Sequence, residues 1–172
     1  MLKTVKIFLL FSLVLLSVVS HAAVRPVPSV PVVSAKSYIL QDFASGHVIA
    51  ELNAKQRLPP ASITKLMTAY VVSNELSAGN ITLEDEVLIS EKAWRMVGSR
   101  SFIEVNTKVT VGVLLRGMII QSGNDAAVAL AEHVAGSEET FSQMMNQYAQ
   151  QLGMFDTNYQ NATGLPGKDH YT

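Results

Sequence analysis

The stretch Pro59-Pro60-Ala61-Ser62-Ile63-Thr64-Lys65-Leu66-Met67 sets a hydroxyl and an amine three residues apart at the head of an apolar run. On a helix, positions i and i+3 are neighbours on one face, so the two side chains can reach each other. At about 100° per residue, Ser62 falls at the edge of a core face made by Ile63, Leu66, Met67 and Tyr70. Lys65 falls beside Thr68, Ala69 and Val72, which is not a solvated face. A helix apolar nearly all round is a buried helix, and burial disfavours the charged form of lysine and lowers its pKa. A neutral amine can take the proton of a neighbouring hydroxyl and make it a nucleophile toward a carbonyl. Ser62 also stands at the helix N-terminus, where unpaired N–H groups and the dipole favour a developing oxyanion. The same two residues fit a plain structural role: a capping serine, and a lysine whose stem carries its charge out to water.

A second group, Ser122-Gly123-Asn124, interrupts two apolar helical segments. A tight loop there can present a hydroxyl and an amide to one cleft. Capping of the following helix by Asn124 or Asp125 accounts for the same residues.

Other chemistry is narrowed by what the chain lacks. It has no cysteine, so disulfides and a thiol nucleophile are excluded. It carries no Gly-x-Ser-x-Gly, no His-Glu-x-x-His and no phosphate-binding glycine loop. His21, His47, His133 and His170 have no ligand spacing, so no metal is expected. Glu84-Asp85-Glu86 reads as a solvated loop; Trp94 and Arg95 fit the lining of a cleft, but a partly buried surface tryptophan is the expected reading. The first 22 residues hold two lysines and no acid, so their loss takes the formal charge from −1 to −3. That balance offers nucleic acid no basic surface.

The elements that must position these groups follow from period and punctuation. Residues 37–43 and 47–53 alternate about Gly46 and predict a β-hairpin. The Ser62–Lys65 helix should end near Asn74–Ala78, before Gly79-Asn80. Short strands are expected around Val87–Ile89 and Phe102–Val105. Val109–Ile120 reads as a buried helix, and Asp125 opens another, closed by Gly136. Ser137 caps a third, on which Phe141, Met144, Met145, Tyr148 and Leu152 form a core stripe. Residues 157–172 read as loop. At the N-terminus, Lys3 and Lys6 precede an uncharged run from Ile7 to Ser20, followed by small residues at Ser20 and Ala22. This is the pattern of a secretory signal, at about 14 residues too short to span a bilayer. The expected layout is a signal at 1–22, a proline-rich linker at 23–36, and a domain from Ser37 onward. Export follows, to the periplasm or the outer face of the cytoplasmic membrane.

Taken together, Pro60–Val72, Leu114–Ser137 and Leu152–Leu165 resemble the serine-type D-alanyl-D-alanine carboxypeptidases, the low-molecular-mass penicillin-binding proteins. Ser62-Ile63-Thr64-Lys65 fits their Ser-x-x-Lys element, and Ser122-Gly123-Asn124 their second element. The resemblance implies an α/β fold of the α+β type, serine β-lactamase/DD-peptidase-like, with an antiparallel sheet and a helical subdomain. It implies that Ser62 attacks the penultimate D-alanine of a peptidoglycan stem peptide and that Lys65 takes its proton. Ser122 would relay a proton to the leaving group, and Asn124 would hold Lys65 and the substrate amide. β-Lactam antibiotics would acylate the same serine. The family's third element, Lys-Thr-Gly or Lys-Ser-Gly, is absent from these 172 residues. The expectation is therefore the N-terminal part of a catalytic domain, incomplete at its C-terminus and with little activity alone, membrane attachment requiring a further C-terminal segment. A β-lactamase or esterase of the same fold, a non-catalytic remnant, and an exported helical domain with chance motifs are the alternatives.

Overall fold

The computed structural model describes residues 29–172, so the expected signal lies outside the described residues. Two compact units divide between Ala54 and Lys55. In the first, residues 29–36 carry no regular element, in keeping with their prolines. Strands β1 (Tyr38–Gln41) and β2 (Val48–Leu52) then pair antiparallel, as expected, with an irregularity at Leu40/Gln41. Their turn is closed by the Ser45 N–H donating to Asp42 Oδ1 at 2.8 Å, and by Gly46 at φ +70°.

The second unit is mainly helical. A single 3-10 turn, Ala61–Ile63, runs into α1 (Thr64–Ala78), which ends at left-handed Gly79. Strand β3 (Glu86–Leu88) pairs with β4 (Lys108–Thr110), setting Val87 opposite Val109. Helix α2 (Glu91–Trp94) is capped by Ser90, whose side chain accepts the Ala93 N–H. Then come α3 (Val111–Gln121), α4 (Asn124–Ala135) and α5 (Glu138–Gln151), the last capped by Ser137. Among the described residues no helix is long and apolar enough to cross a membrane.

Two expectations about strands change. Val109 and Thr110 belong to β4, so the helix begins at Val111. The strand expected around Phe102–Val105 does not form. Phe102 and Asn106 adopt left-handed backbone, at φ +57° and +61°. The Ser101 and Ile103 N–H groups donate to the Asp125 carboxylate instead of to a ladder.

The core is built around α4. Ala126, Ala127, Val128, Ala129, Leu130 and Ala131 are all buried, because small residues on every face let α1, α2, α3 and α5 pack against it. Phe141, Met145 and Ala149 close one side, as the stripe on α5 predicts, but Leu152 at its end is exposed.

Helix α1 faces the core with an unexpected side. Its buried residues are Thr64, Lys65, Met67, Thr68, Val71 and Val72. Ile63 and Leu66 are 67% and 73% exposed, and Tyr70 is exposed as well. An amphipathic period cannot choose a face on a helix that is apolar all round. What chooses it is hydrogen bonding: the polar side chains of Thr64, Lys65 and Thr68 all find partners in the loop after α5.

Candidate active site

Ser62 and Lys65 meet where the 3-10 turn becomes α1. Two local features hold Ser62 there. Ala61 has φ +47°, a left-handed conformation costly for a residue with a Cβ, directly before the serine. Gly164, at φ +87°, lies so close that a Cβ on it would overlap the Ala61 carbonyl and come within 3.0 Å of the Ser62 nitrogen. The 161–165 loop is thus folded against the backbone that carries the hydroxyl. As one of the first residues of a helical segment, Ser62 has an N–H with no intrahelical acceptor.

Ser62 is exposed and Lys65 is 7% exposed. Lys65 Nζ lies 3.3 Å from Ser62 Oγ and donates to the Thr163 carbonyl at 2.7 Å. No carboxylate pairs with it among the described residues. Burial therefore pushes its pKa below the ordinary lysine value. The magnitudes agree: an unpaired buried ammonium costs several kcal/mol, whereas a charged hydrogen bond returns about 1.5–3. Desolvation outweighs the hydrogen bond, which shifts the balance toward the neutral amine. Its lone pair is then free to receive the serine proton across the 3.3 Å contact.

The loop that accepts from Lys65 is itself braced. Asn161 Oδ1 accepts from the Thr163 N–H, the Thr163 hydroxyl and the Gly164 N–H. The Ala162 carbonyl accepts from Thr68 at 2.7 Å, and its N–H donates to the buried Glu138 carboxylate. Glu138 in turn pairs with Lys92 of α2 at 3.1 Å. The single-residue signals of the sequence did not mark Thr163, Gly164, Asn161 or Glu138. Asn161, Thr163 and Gly164 stood out only as part of the Leu152–Leu165 stretch that carries the family resemblance and as a polar, glycine-bearing segment without period.

Ser122 and Asn124 lie at the α3–α4 junction. Ser122 ends α3 with φ +56°, and Asn124 opens α4 at 5% exposure. Here the structure differs from the resemblance. Asn124 Nδ2 donates to the Val97 carbonyl at 2.7 Å, and among the described residues no hydrogen bond joins Ser122 or Asn124 to Lys65. Thr163 supplies that contact instead.

The junction is clamped by residues 97–103. The Asn124 N–H donates to the Ser99 carbonyl at 2.7 Å, and Asp125 accepts from the Ser101, Ile103 and Ala126 N–H groups. A Cβ on Gly123 would overlap Ser101 Oγ and lie 2.9 Å from Asp125 Oδ1, which is why the middle residue is glycine. Of the other sequence candidates, Arg95 pairs with Glu91 at the surface and Trp94 packs partly against the core. Glu86 pairs with Lys108, and Asp85 accepts from the Thr82 N–H. None of these reaches Lys65.

Comparisons with known proteins point to one family. A family profile described as D-alanyl-D-alanine carboxypeptidase matches residues 24–172. The D-alanyl-D-alanine carboxypeptidase DacA of Haemophilus influenzae is 44% identical, over 99% of this chain and 44% of its own length. DacC of Escherichia coli is 47% identical, over 80% of this chain and 36% of its own. The chain thus spans about two fifths of these relatives. Among solved structures, DacD from Francisella tularensis superposes with a TM-score of 0.82 at 37% identity, over 89% of this chain and 37% of that one. Penicillin-binding protein 5 from Haemophilus influenzae gives 0.80 at 43% identity, over 84% and 43%. The fold is the expected DD-peptidase-like one, with helices and small antiparallel sheets. The chain belongs to the D-alanyl-D-alanine carboxypeptidase family.

Proposed function

We propose that this chain carries the nucleophilic half of a serine-type D-alanyl-D-alanine carboxypeptidase acting on peptidoglycan stem peptides. The observation that carries the reading is the exposed Ser62 hydroxyl 3.3 Å from the amine of a buried Lys65. Neutral Lys65 takes the Ser62 proton as Oγ attacks the carbonyl of the penultimate D-alanine. The Ser62 N–H receives part of the oxyanion charge. As the intermediate collapses, the carbon–nitrogen bond breaks and the proton passes from Lys65 to the departing D-alanine amine, with Ser122 as relay. Asn124 orients the substrate amide. Water then cleaves the ester and restores Ser62, with no metal or cofactor. A β-lactam follows the same first step, but its amine leaving group stays tethered, so the adduct is long-lived.

The reading also takes the protein outside the cytoplasmic membrane. Lys3, Lys6, the Ile7–Ser20 run and Ala22 support export, and the lack of cysteine leaves no thiol to oxidise there. Peptidoglycan peptides and β-lactams are the partners this implies, with a role in cell-wall maintenance and cell shape.

Labelling with a tagged penicillin and tryptic mapping tests the proposal. The adduct is expected on the peptide Leu58–Lys65, accumulating over hours, and is abolished by Ser62→Ala. A folded wild-type protein without adduct, or with adduct on another peptide, overturns it.

A further inference from the structure

His170 takes no part in the chemistry above, yet it is 3% exposed and both of its ring nitrogens are engaged. The Gln160 N–H donates to Nδ1 at 3.0 Å. A nitrogen that accepts carries no proton, so in the neutral ring the proton is on Nε2. Nε2, 2.8 Å from Thr64 Oγ1, is then the donor to that hydroxyl. Burial keeps the ring neutral by pushing its pKa below the ordinary histidine value. The Tyr159 ring meets the imidazole edge-on, with centroids 5.8 Å apart.

These contacts fall on both components of the site. Thr64 is the first residue of α1, between Ser62 and Lys65. Gln160 opens the loop whose Ala162 and Thr163 carbonyls accept from Thr68 and Lys65. The backbone either side of His170 is pinned as well. Tyr171 pairs with Asn158, and Thr172 exchanges two hydrogen bonds with Leu58, at 3.0 and 3.1 Å. An apolar side chain at 170 could fill the space. It would leave the Gln160 N–H and the Thr64 hydroxyl without this partner.

We infer that His170 is a positioning residue for the Ser62–Lys65 pair, tying the start of α1 to the loop that holds the lysine in one hydrogen-bonded frame. The inference rests on the reading of Ser62 as nucleophile and Lys65 as base. Without the imidazole, the 160–164 loop separates from α1, water reaches Lys65, and the amine reverts toward its charged form.

Three readouts on the full chain test this. In the wild type at neutral pH, nitrogen NMR should show His170 with a bare Nδ1 and a protonated Nε2. The other tautomer, or a doubly protonated ring, overturns the inference. In folded His170→Ala, the Lys65 titration midpoint should move up and Ser62 acylation by a tagged penicillin should slow about tenfold or more. His170→Gln, which keeps a donor toward Thr64, should recover most of both. An unchanged midpoint and rate in folded His170→Ala mean that the residue is only filling space. If His170→Ala does not fold, the tautomer and the His170→Gln rate decide. A wild type that is never acylated defeats the nucleophile reading, while the tautomer and the Lys65 midpoint still judge His170.

Discussion

At the scale of single residues, the account turns on the charge state of Lys65. Its neutral form is the base, so acylation of Ser62 should be slow at low pH and rise as pH passes through the lowered lysine pKa. Above that value it should level off. A rate that shows no such rise, or that rises only through the ordinary lysine range, would remove Lys65 from the role. Lys65→Arg keeps a cation and most of the volume but cannot give up a proton. Its acylation rate should fall by about 10²–10⁴ while the protein stays folded by circular dichroism. The pairing of Ser62 with Lys65 was legible in the sequence because a helix fixes the geometry of i and i+3. The Thr163 carbonyl was not legible, since a backbone acceptor 98 positions away leaves no side-chain signal. His170 was visible as a residue but not as a site, because its partners are a hydroxyl and an N–H rather than a metal or an acid.

At the scale of elements, two loops do the positioning, and each depends on one residue, a glycine in the first and a buried carboxylate in the second. Gly164 lets the 161–165 loop lie against Ala61. Gly164→Ala would need left-handed backbone and would collide with the Ala61 carbonyl, so the loop must move. Ser62 acylation should then drop by about 10² even where thermal unfolding shows a folded protein. Asp125 holds the other loop. It is fully buried and accepts three backbone N–H groups, with Arg100 Nε 3.8 Å away. Asp125→Ala strands those donors and should cost about 3 kcal/mol or more in urea unfolding. A loss under 1 kcal/mol would mean that the 97–103 segment is held by other contacts. The strand expected around Phe102–Val105 failed for this same reason: apolar residues suggested a ladder, but the Ser101 and Ile103 N–H groups donate to Asp125 instead.

For the whole molecule, the informative feature is the exposed apolar line on α1. Ile63, Leu66 and Tyr70 border an open cavity of about 300 Å³ that Leu152 and Met154 also line. The order of hairpin, helix, short strands and helices was readable from period and from Gly79, Gly136 and Ser137. The buried face of α1 was not, because apolar residues surround that helix and the loop's hydrogen bonds decide. Because Leu66 is 73% exposed, Leu66→Ser should change the stability of this chain by no more than about 0.5 kcal/mol in urea unfolding. A larger loss would mean that this face is covered in solution. The chain contains no Lys-Thr-Gly or Lys-Ser-Gly. Residues 23–172 by themselves should therefore release no measurable D-alanine from a D-alanyl-D-alanine peptide, and clear release would show that the third element is dispensable.

The claim beneath all of this is that Lys65 is a desolvated amine held beside a hydroxyl. Titration of the Lys65 side chain by carbon and nitrogen NMR measures it directly. The account predicts a midpoint clearly below that of the exposed lysines of the same chain, with the Thr163 carbonyl bond intact. A midpoint equal to or above theirs would mean that Lys65 stays charged, and that Ser62 has no base.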